Sequence, residues 1–129
     1  MAVMPVLAQA AALIAALFHV WFFVLESLRF ERPEVWRRFG LTTPEQASIV
    51  RPMAFNQGFY NLFLAIGIAL GLVLIATGNA VPGRAIVLFA CACMVGAGLV
   101  LVSSNRRFLP AAALQVGPAL VAVVLGLLG

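Results

Sequence analysis

The sequence predicts an all-α fold: an integral membrane four-helix bundle with a short amphipathic interfacial helix in its first cytoplasmic loop. The 129 residues are 64% hydrophobic and only 9% charged, whereas soluble domains carry about 25% charged residues. Four apolar stretches are visible, at about residues 3–28, 53–77, 84–102 and 109–128. Each has about the 20 residues that a helix needs to cross about 30 Å of hydrocarbon. We therefore expect residues 1–129 to form a single transmembrane domain.

The first stretch has no basic region before it and is too long for a signal peptide, so it is interpreted as a retained helix. On a helix, His19 lies about 20° from Glu26. Small residues continue the same stripe, which should face protein: Ala8, Ala12 and Ala15. Glu26 has two interpretations, an ion pair with Arg29 or a buried functional carboxylate. His19 is either a hydrogen-bonded interhelical tie or a proton relay.

The first connector contains the predicted interfacial helix, Pro33 to Gly40. Proline suits the first turn of a helix and glycine suits its C-cap. At the membrane surface this helix would place Trp36 among the headgroups and its arginines near lipid phosphates, as a topology anchor or for specific lipid recognition. Thr43 to Glu45 should begin another short helix that leads into the second span.

The second stretch opens with a polar run on an otherwise apolar helix. Asn56, Gln57, Tyr60 and Asn61 fall within an arc of about 140°, and the arc continues into small residues. Gly67 and Gly71 have the spacing that allows close helix approach, so a homo-oligomer is one expectation. The opposite face suits lipid and consists of Phe59, Leu62, Ile66, Leu70 and Val73.

The third stretch has no ionisable group in its middle and is interpreted as a structural helix. Cys91 and Cys93 point about 160° apart on a helix and therefore cannot share a metal or a disulfide. In the fourth stretch Pro118 predicts a local kink, and Gln115 shares a face with small residues, namely Ala111, Ala119, Ala122 and Gly126.

The distribution of arginine predicts the orientation. The first and third connectors hold seven of the eight basic residues, and only Arg84 lies on the other side. By the positive-inside rule these two connectors are cytoplasmic and both termini face outward, across the cell (inner) membrane.

The polar residues are all expected in the cytoplasmic leaflet. A bundle with these faces inward would gather a ligand-binding set near its cytoplasmic mouth, with His19 about 10 Å deeper as a proton relay. That set is Glu26, Asn56, Gln57, Tyr60, Asn61 and Gln115. The alternative interpretation is that the amides and the phenol form hydrogen bonds between helices.

Several kinds of chemistry lack a signature in the sequence. One histidine, no aspartate and no H-E-x-x-H motif leave no convincing metal set. No Ser-His-acid constellation and no phosphate-cradling loop can be found, so no catalytic residue and no cofactor is assigned. Nothing resembles a nucleic-acid-binding surface.

The order of these residues resembles domain-of-unknown-function family 1304, a group of small four-span bacterial membrane proteins. The resemblance spans nearly the whole chain and rests on His19, Glu26, Phe39 to Leu41, Asn56 to Asn61 with Phe63 to Ala65, and Gln115 with Pro118 to Leu120. The N-Q-G-x-Y-N core is its most specific part. Leu99 to Val102 depart from the small or aromatic residues expected there. The resemblance implies a four-span membrane protein and no particular activity.

A looser similarity is to the membrane-associated eicosanoid and glutathione metabolism proteins, which are also short and four-span. Arg51 and Asn56 match the opening of their second helix, but Phe59 stands where a glutamate is expected. This similarity therefore implies no glutathione chemistry, and a homotrimer is a state to test.

Three functions fit the sequence. The first is a small-molecule or proton-coupled carrier in which Glu26 titrates and His19 relays protons. The second is a membrane enzyme in which Tyr60 or Glu26 acts as acid or base on a lipophilic substrate. The third is a structural or accessory subunit. We favour binding or transport over catalysis, with the lipid bilayer and a small-molecule or lipophilic ligand as partners.

Overall fold

The computed structural model describes residues 3–129 and is helical, with no strand among these residues. Helix α1 covers Val6–Phe23 and continues as a π-helical turn, Val24–Leu28; α2 covers Pro33–Trp36, followed by a 3₁₀ turn, Arg37–Phe39. The longer helices are α3 at Pro44–Ala76, α4 at Ala80–Ser104 and α5 at Leu109–Leu128, which a 3₁₀ turn, Arg106–Phe108, precedes. Four helices are long and apolar enough to cross a membrane. The predicted all-α class with four membrane-length helices is confirmed.

Helix α3 begins at Pro44, well before the predicted start of the second span. Its first turn is closed by hydrogen bonds typical of a capping box: the Gln46 N–H donates to Thr43 Oγ1 (3.2 Å), and the Thr42 N–H donates to Gln46 Oε1 (2.8 Å). The helix then continues through Pro52. The short helix expected at Thr43 to Glu45 is therefore the first turn of one 33-residue helix.

Helix α4 also begins earlier than expected, at Ala80. Gly78 adopts a positive φ of 90° and reverses the chain between α3 and α4, a conformation that glycine adopts at little cost. Pro82 then lies in the first turn of the helix, where its missing N–H is not needed.

The described residues form two compact units, one made of residues 3–18 and 64–129 and the other of His19–Phe63. The first unit has a core to which α1, α3, α4 and α5 all contribute. The small stripe of α1 that was predicted to face protein does so, because Ala8, Ala12 and Ala15 are fully buried. Small side chains let helices approach closely, so dispersion contacts replace the hydrophobic drive that lipid does not provide.

Within this unit α3 and α4 approach each other closely at Gly71 and Gly83. A Cβ on Gly71 would lie 2.8 Å from the Gly83 carbonyl oxygen and 2.6 Å from Val87 Cγ2, whereas a Cβ on Gly67 would meet nothing within 4 Å. The two glycines of the predicted G-x-x-x-G spacing therefore differ, since Gly71 serves packing inside the chain and Gly67 does not. At the next residue of α4, Arg84 Nη2 donates to the Gly126 carbonyl (2.7 Å) and ties α4 to α5.

The second unit contains the connector helix that the sequence predicts. Pro33 occupies its first turn, and Gly40 closes the following 3₁₀ turn in the left-handed conformation, with φ of 84°. The prediction that Trp36 lies among lipid headgroups is wrong, because its side chain is only 3% exposed. Trp36 packs in a small core that also buries Leu25, Phe30, Val35, Ala47 and Ala54. These apolar neighbours cover the indole and keep it from the lipid headgroups.

Candidate functional site

The candidate site in the second unit begins at an irregularity in the first span. The last five residues before Arg29 form a π-helical turn, in which the Arg29 N–H donates to the Val24 carbonyl (3.0 Å). Single π-turns inside or at the end of α-helices are rare and occur frequently at functional sites. Glu26 lies in the middle of this turn. The wider turn changes the direction of its side chain from the one that regular α-helical spacing predicts.

Glu26 is paired with an amide on α3. Asn61 Nδ2 donates to Glu26 Oε1 at 3.1 Å, and the Asn61 side chain is only 7% exposed. A hydrogen bond to a charged acceptor is stronger than one between neutral groups. The Glu26 carboxylate is therefore held in one orientation by the last residue of the N-Q-G-x-Y-N motif.

The alternative partner predicted for Glu26 is Arg29. Among the described residues no ion pair joins these two side chains, and the Arg29 guanidinium lies instead 6.0 Å from the centroid of the Trp21 ring. Glu26 is half-buried. The Glu26–Arg29 ion pair is therefore not formed among the described residues, and a functional role of the Glu26 carboxylate stays a prediction.

The glycine of the motif allows the π-turn to lie directly against α3. Ser27 Oγ donates to the Phe55 carbonyl at 2.7 Å. A Cβ on Gly58 would lie 3.0 Å from Ser27 Cβ and would collide with Ser27 Oγ. Gly58 is therefore needed for close approach. The Ser27 hydrogen bond holds the same contact between the π-turn and α3, with its acceptor Phe55 six residues before Asn61.

We expect Gly58→Ala to lower stability, because the added methyl group displaces Ser27 and weakens both hydrogen bonds of the π-turn. The expected loss is about 1–3 kcal/mol, the usual cost of overpacking. Thermal unfolding of the purified protein measures it. In the Ser27→Gly background the same substitution meets no side chain at position 27 and should cost less; an equal loss in both backgrounds would contradict this account.

Aromatic rings also join α1 to α3 in the second unit. The Phe23 and Phe59 rings meet edge to face at 5.0 Å, and Phe59 also lies near Phe55 (5.1 Å) and Phe63 (6.3 Å) on α3. Phe59 is half-buried. The prediction that Phe59 faces lipid is wrong, because its ring packs against α1.

The other three polar residues of the run lie on the exposed part of the arc. Asn56, Gln57 and Tyr60 are exposed, Tyr60 by 58%, and none of their side chains makes a hydrogen bond within residues 3–129. At 100° per residue they lie about 140°, 40° and 100° from Asn61. The polar arc therefore exists, but the buried side of α3 includes only its Asn61 edge. That these residues bind a ligand stays a prediction.

His19 and Gln115 complete the set expected from the sequence. His19 is fully buried, and its ring meets Phe22 edge to face at 5.1 Å. Gln115 belongs to the first unit, where it is half-buried and its Nε2 donates to the Met94 carbonyl at 3.4 Å. This bond suits the interpretation of Gln115 as an interhelical tie. The expected convergence of Gln115 with the polar run stays a prediction, as does the relay role of His19.

The cysteines and acids do not form a cluster. Cys91 is fully buried and Cys93 half-buried, both as free thiols. Across residues 3–129 no three side chains among His, Cys, Asp and Glu are placed to hold a metal ion.

Comparison with known proteins adds one match. The family model described as "Protein of unknown function (DUF1304)" matches residues 13–127. The chain belongs to the DUF1304 family. No curated protein and no solved structure matches it. The resemblance seen in the sequence is confirmed, and the matched region contains the whole Glu26–Asn61 contact.

In this DUF1304 chain the structure adds two features that the sequence did not reveal. Nothing in the composition of Val24–Leu28 signals a π-turn. The pairing of Ser27 with Phe55 also depends on a backbone carbonyl, which carries no residue-specific signal. A glycine inside an apolar helix, such as Gly58, was the available hint of a close backbone approach.

Proposed function

We propose that this chain is a multi-pass inner-membrane protein that binds a small hydrogen-bonding molecule, and carries it, at a polar face of α3 in the cytoplasmic leaflet. We define the polar face as Asn56, Gln57 and Tyr60. The observation that supports the proposal is that all three side chains are exposed on a helix long and apolar enough to span a membrane. Polar groups at membrane depth need hydrogen-bond partners, and each one left unpaired costs several kcal/mol.

The Glu26–Asn61 pair lies next to this polar face along α3 and supplies a carboxylate. Gln57 lies one turn before Asn61 on α3, and Asn61 holds the Glu26 carboxylate in place. In the proposed site the amides and the phenol bind the ligand. The Glu26 carboxylate accepts a hydrogen bond from a donor group of the ligand, or it accepts a proton. Amide and phenol groups both donate and accept. The ligand class is therefore a small molecule with several hydroxyl, amide or amine groups.

The proposed orientation places both termini outside and the first and third connectors in the cytoplasm, as the seven arginines of these connectors predict. We expect a C-terminal alkaline phosphatase fusion to be active and a C-terminal green fluorescent protein fusion to be dark. The same reporters placed after Gly40 should show the opposite pattern. A fluorescent C-terminal fusion would contradict the orientation.

A ligand screen by thermal unfolding tests the binding function. The detergent-purified protein is heated with a panel of polyols, amides, amines and amino acids, at two pH values. We expect at least one compound to raise the unfolding temperature of the unchanged protein and to have no effect on a variant with Asn56→Leu, Gln57→Leu and Tyr60→Phe. Phe63→Leu, an exposed apolar change on the same helix, is the matched control. Stabilisation that survives in the triple variant would contradict the proposed site.

A structural role is the second candidate, and the periodicity of α3 supports it. Met53, Tyr60, Gly67 and Leu74 recur every seven residues, which is the spacing of a helix-packing seam. A Cβ on Gly67 would meet nothing within 4 Å, so this residue leaves room for another helix. Under this function the polar face hydrogen-bonds to a second copy of the chain.

Gly67→Leu separates the two candidates, because its side chain blocks close approach of a second helix and its Cβ meets nothing inside the chain. Native mass spectrometry of the detergent-purified protein measures the oligomeric state. The structural role predicts an oligomer that Gly67→Leu converts to monomer, with a matched Leu70→Ile change leaving it intact. A monomer in the unchanged protein would contradict the structural role.

A further inference from the structure

A cavity lies in the second unit, at the first turns of α3. Its volume is about 140 Å³, and the residues that line it include Phe30, Trp36 and Ser48. Glu31 and Arg51 also line it. Their side chains form an ion pair, with Arg51 Nη1 3.0 Å from Glu31 Oε1, and both are more than half exposed. Ion pairs at such exposed positions are weakly held, so a competing ligand can separate the two charges.

A second, more open groove adjoins the cavity. Its volume is about 390 Å³, and it is lined by Ser48, Arg51, Pro52 and Phe55. Ser48 and Arg51 therefore belong to both spaces, whereas Glu31 lines only the cavity and Phe55 only the groove. From the cavity to the groove, the lining groups are therefore first a carboxylate, then a guanidinium and a hydroxyl, and finally an aromatic ring.

The length of α3 places both spaces at headgroup level. Its 33 residues give a helix of about 50 Å, which exceeds the hydrocarbon thickness of about 30 Å. No ionisable residue other than Tyr60 occurs between Met53 and Ala76, so the surplus lies at the N-terminal end. The cavity is thus near the membrane surface, and the groove past Pro52 and Phe55 leads towards the apolar span.

We propose that the cavity and the groove together bind one glycerophospholipid with a zwitterionic ethanolamine headgroup. The lipid phosphate pairs with Arg51, the terminal ammonium pairs with Glu31, and the glycerol end with its acyl chain follows the groove past Phe55. The order of groups along such a lipid, apolar chain, phosphate, then ammonium, matches the order of groups along the two spaces.

The headgroup ammonium distinguishes this lipid from others. A primary ammonium donates three hydrogen bonds, which the Glu31 carboxylate and the Ser48 hydroxyl accept. A choline headgroup has no N–H to donate, and a glycerol headgroup has no cation. The site should therefore prefer ethanolamine over choline and glycerol headgroups with the same acyl chains.

Native mass spectrometry of the full chain, with lipids of identical acyl composition added in detergent, measures this preference. We expect the ethanolamine lipid to bind at least about tenfold more tightly than the choline and glycerol lipids. Glu31→Gln should remove the preference over choline, and Arg51→Gln should weaken binding of all three lipids. Glu34→Gln and Arg38→Gln, which change exposed charges of the same connector outside the cavity, are matched controls and should change nothing.

The exchange Glu31→Arg with Arg51→Glu is the decisive variant. It keeps an ion pair and the net charge but reverses the order of charges relative to the groove, so it should abolish the preference for ethanolamine lipid. An unchanged preference in this variant would overturn the proposal, as would equal binding of the three lipids by the unchanged protein. Tighter binding of the glycerol lipid would also overturn it, by showing attraction to the basic connector alone. Displacement of the lipid by equimolar soluble glycerophosphoethanolamine would overturn the part played by the groove.

Discussion

Gly83→Ala and Gly71→Ala should each destabilise the protein by about 2 kcal/mol, within the usual range for overpacking. A Cβ on Gly83 would lie 2.5 Å from the Gly71 carbonyl oxygen and 2.9 Å from the Ile75 amide nitrogen. These are backbone atoms, so no side-chain rotation relieves the collision and α3 must move away from α4. Alanine gains about 1 kcal/mol of helix propensity over glycine, and the collision exceeds this gain.

Gly67→Ala is the matched control. Gly67 lies on the same helix as Gly71, and a Cβ on it would meet nothing within 4 Å. Its stability should be unchanged or raised by up to about 1 kcal/mol. Thermal unfolding of the three variants in one detergent measures the difference, and we expect the Gly71 and Gly83 variants to unfold several degrees below the control. Equal unfolding temperatures for the three variants would contradict the close approach of α3 and α4.

Asn61→Asp should have a comparably large effect on the second unit. It replaces the amide that donates to Glu26 Oε1 (3.1 Å) with a second carboxylate. Two like charges at about 4 Å repel by about 4 kcal/mol at an effective dielectric constant of about 20, and water at the half-buried Glu26 lowers this value. We expect a loss of about 2–3 kcal/mol at neutral pH, more than for Asn61→Ala, which removes a donor without adding a charge.

The double variant Glu26→Gln with Asn61→Asp tests the cause. It exchanges the roles of the two side chains, since the amide introduced at position 26 then donates to the carboxylate introduced at position 61. Stability should recover by about 1–3 kcal/mol relative to Asn61→Asp alone. The loss in the single variant should also shrink as the pH falls, because protonation of either carboxyl group ends the repulsion. A double variant no more stable than the single one would show that the two side chains do not interact.

Much of the fold follows from apolar length alone. The sequence predicts the fourth span at residues 109–128, and α5 is Leu109–Leu128. The small stripe of α1 was also predictable, because helical geometry places Ala8, Ala12 and Ala15 on one side of the helix. Small residues on one side of a membrane helix indicate contact with another helix, since contact with lipid does not require small side chains. The start of α3 was not, since it depends on how the side chains of Thr43 and Gln46 close the first turn.

The buried side of α3 shows why the polar run misled the prediction of an inward face. One set of buried positions repeats every seven residues, at Ala47, Ala54, Asn61, Ile68 and Ile75. This spacing is present in the sequence, but the cluster of amides is the more conspicuous signal. Burial follows side-chain size and regular spacing, and only the amide that falls on that seam meets a partner.

The choice between Gly67 and Gly71 was beyond the sequence in a different way. Both glycines belong to the same G-x-x-x-G motif, and both have apolar neighbours along the chain. Only the position of Gly83 on α4 makes Gly71 the contact residue, and that is a tertiary fact. The π-turn was also beyond the sequence, because it occurs where Ser27 and Glu26 contact α3.

We propose that Asn56, Gln57 and Tyr60 form an open, hydrated face while Asn61 is enclosed. Single cysteines at these four positions, in a background with Cys91→Ala and Cys93→Ala, can be labelled in membranes with a maleimide, which reacts in water and not in hydrocarbon. We predict rapid labelling at positions 56, 57 and 60 and slow labelling at position 61, with protection of the first three by any compound that stabilises the protein. Labelling at position 61 as fast as at position 60, or no labelling at all three positions of the polar face, would contradict the account.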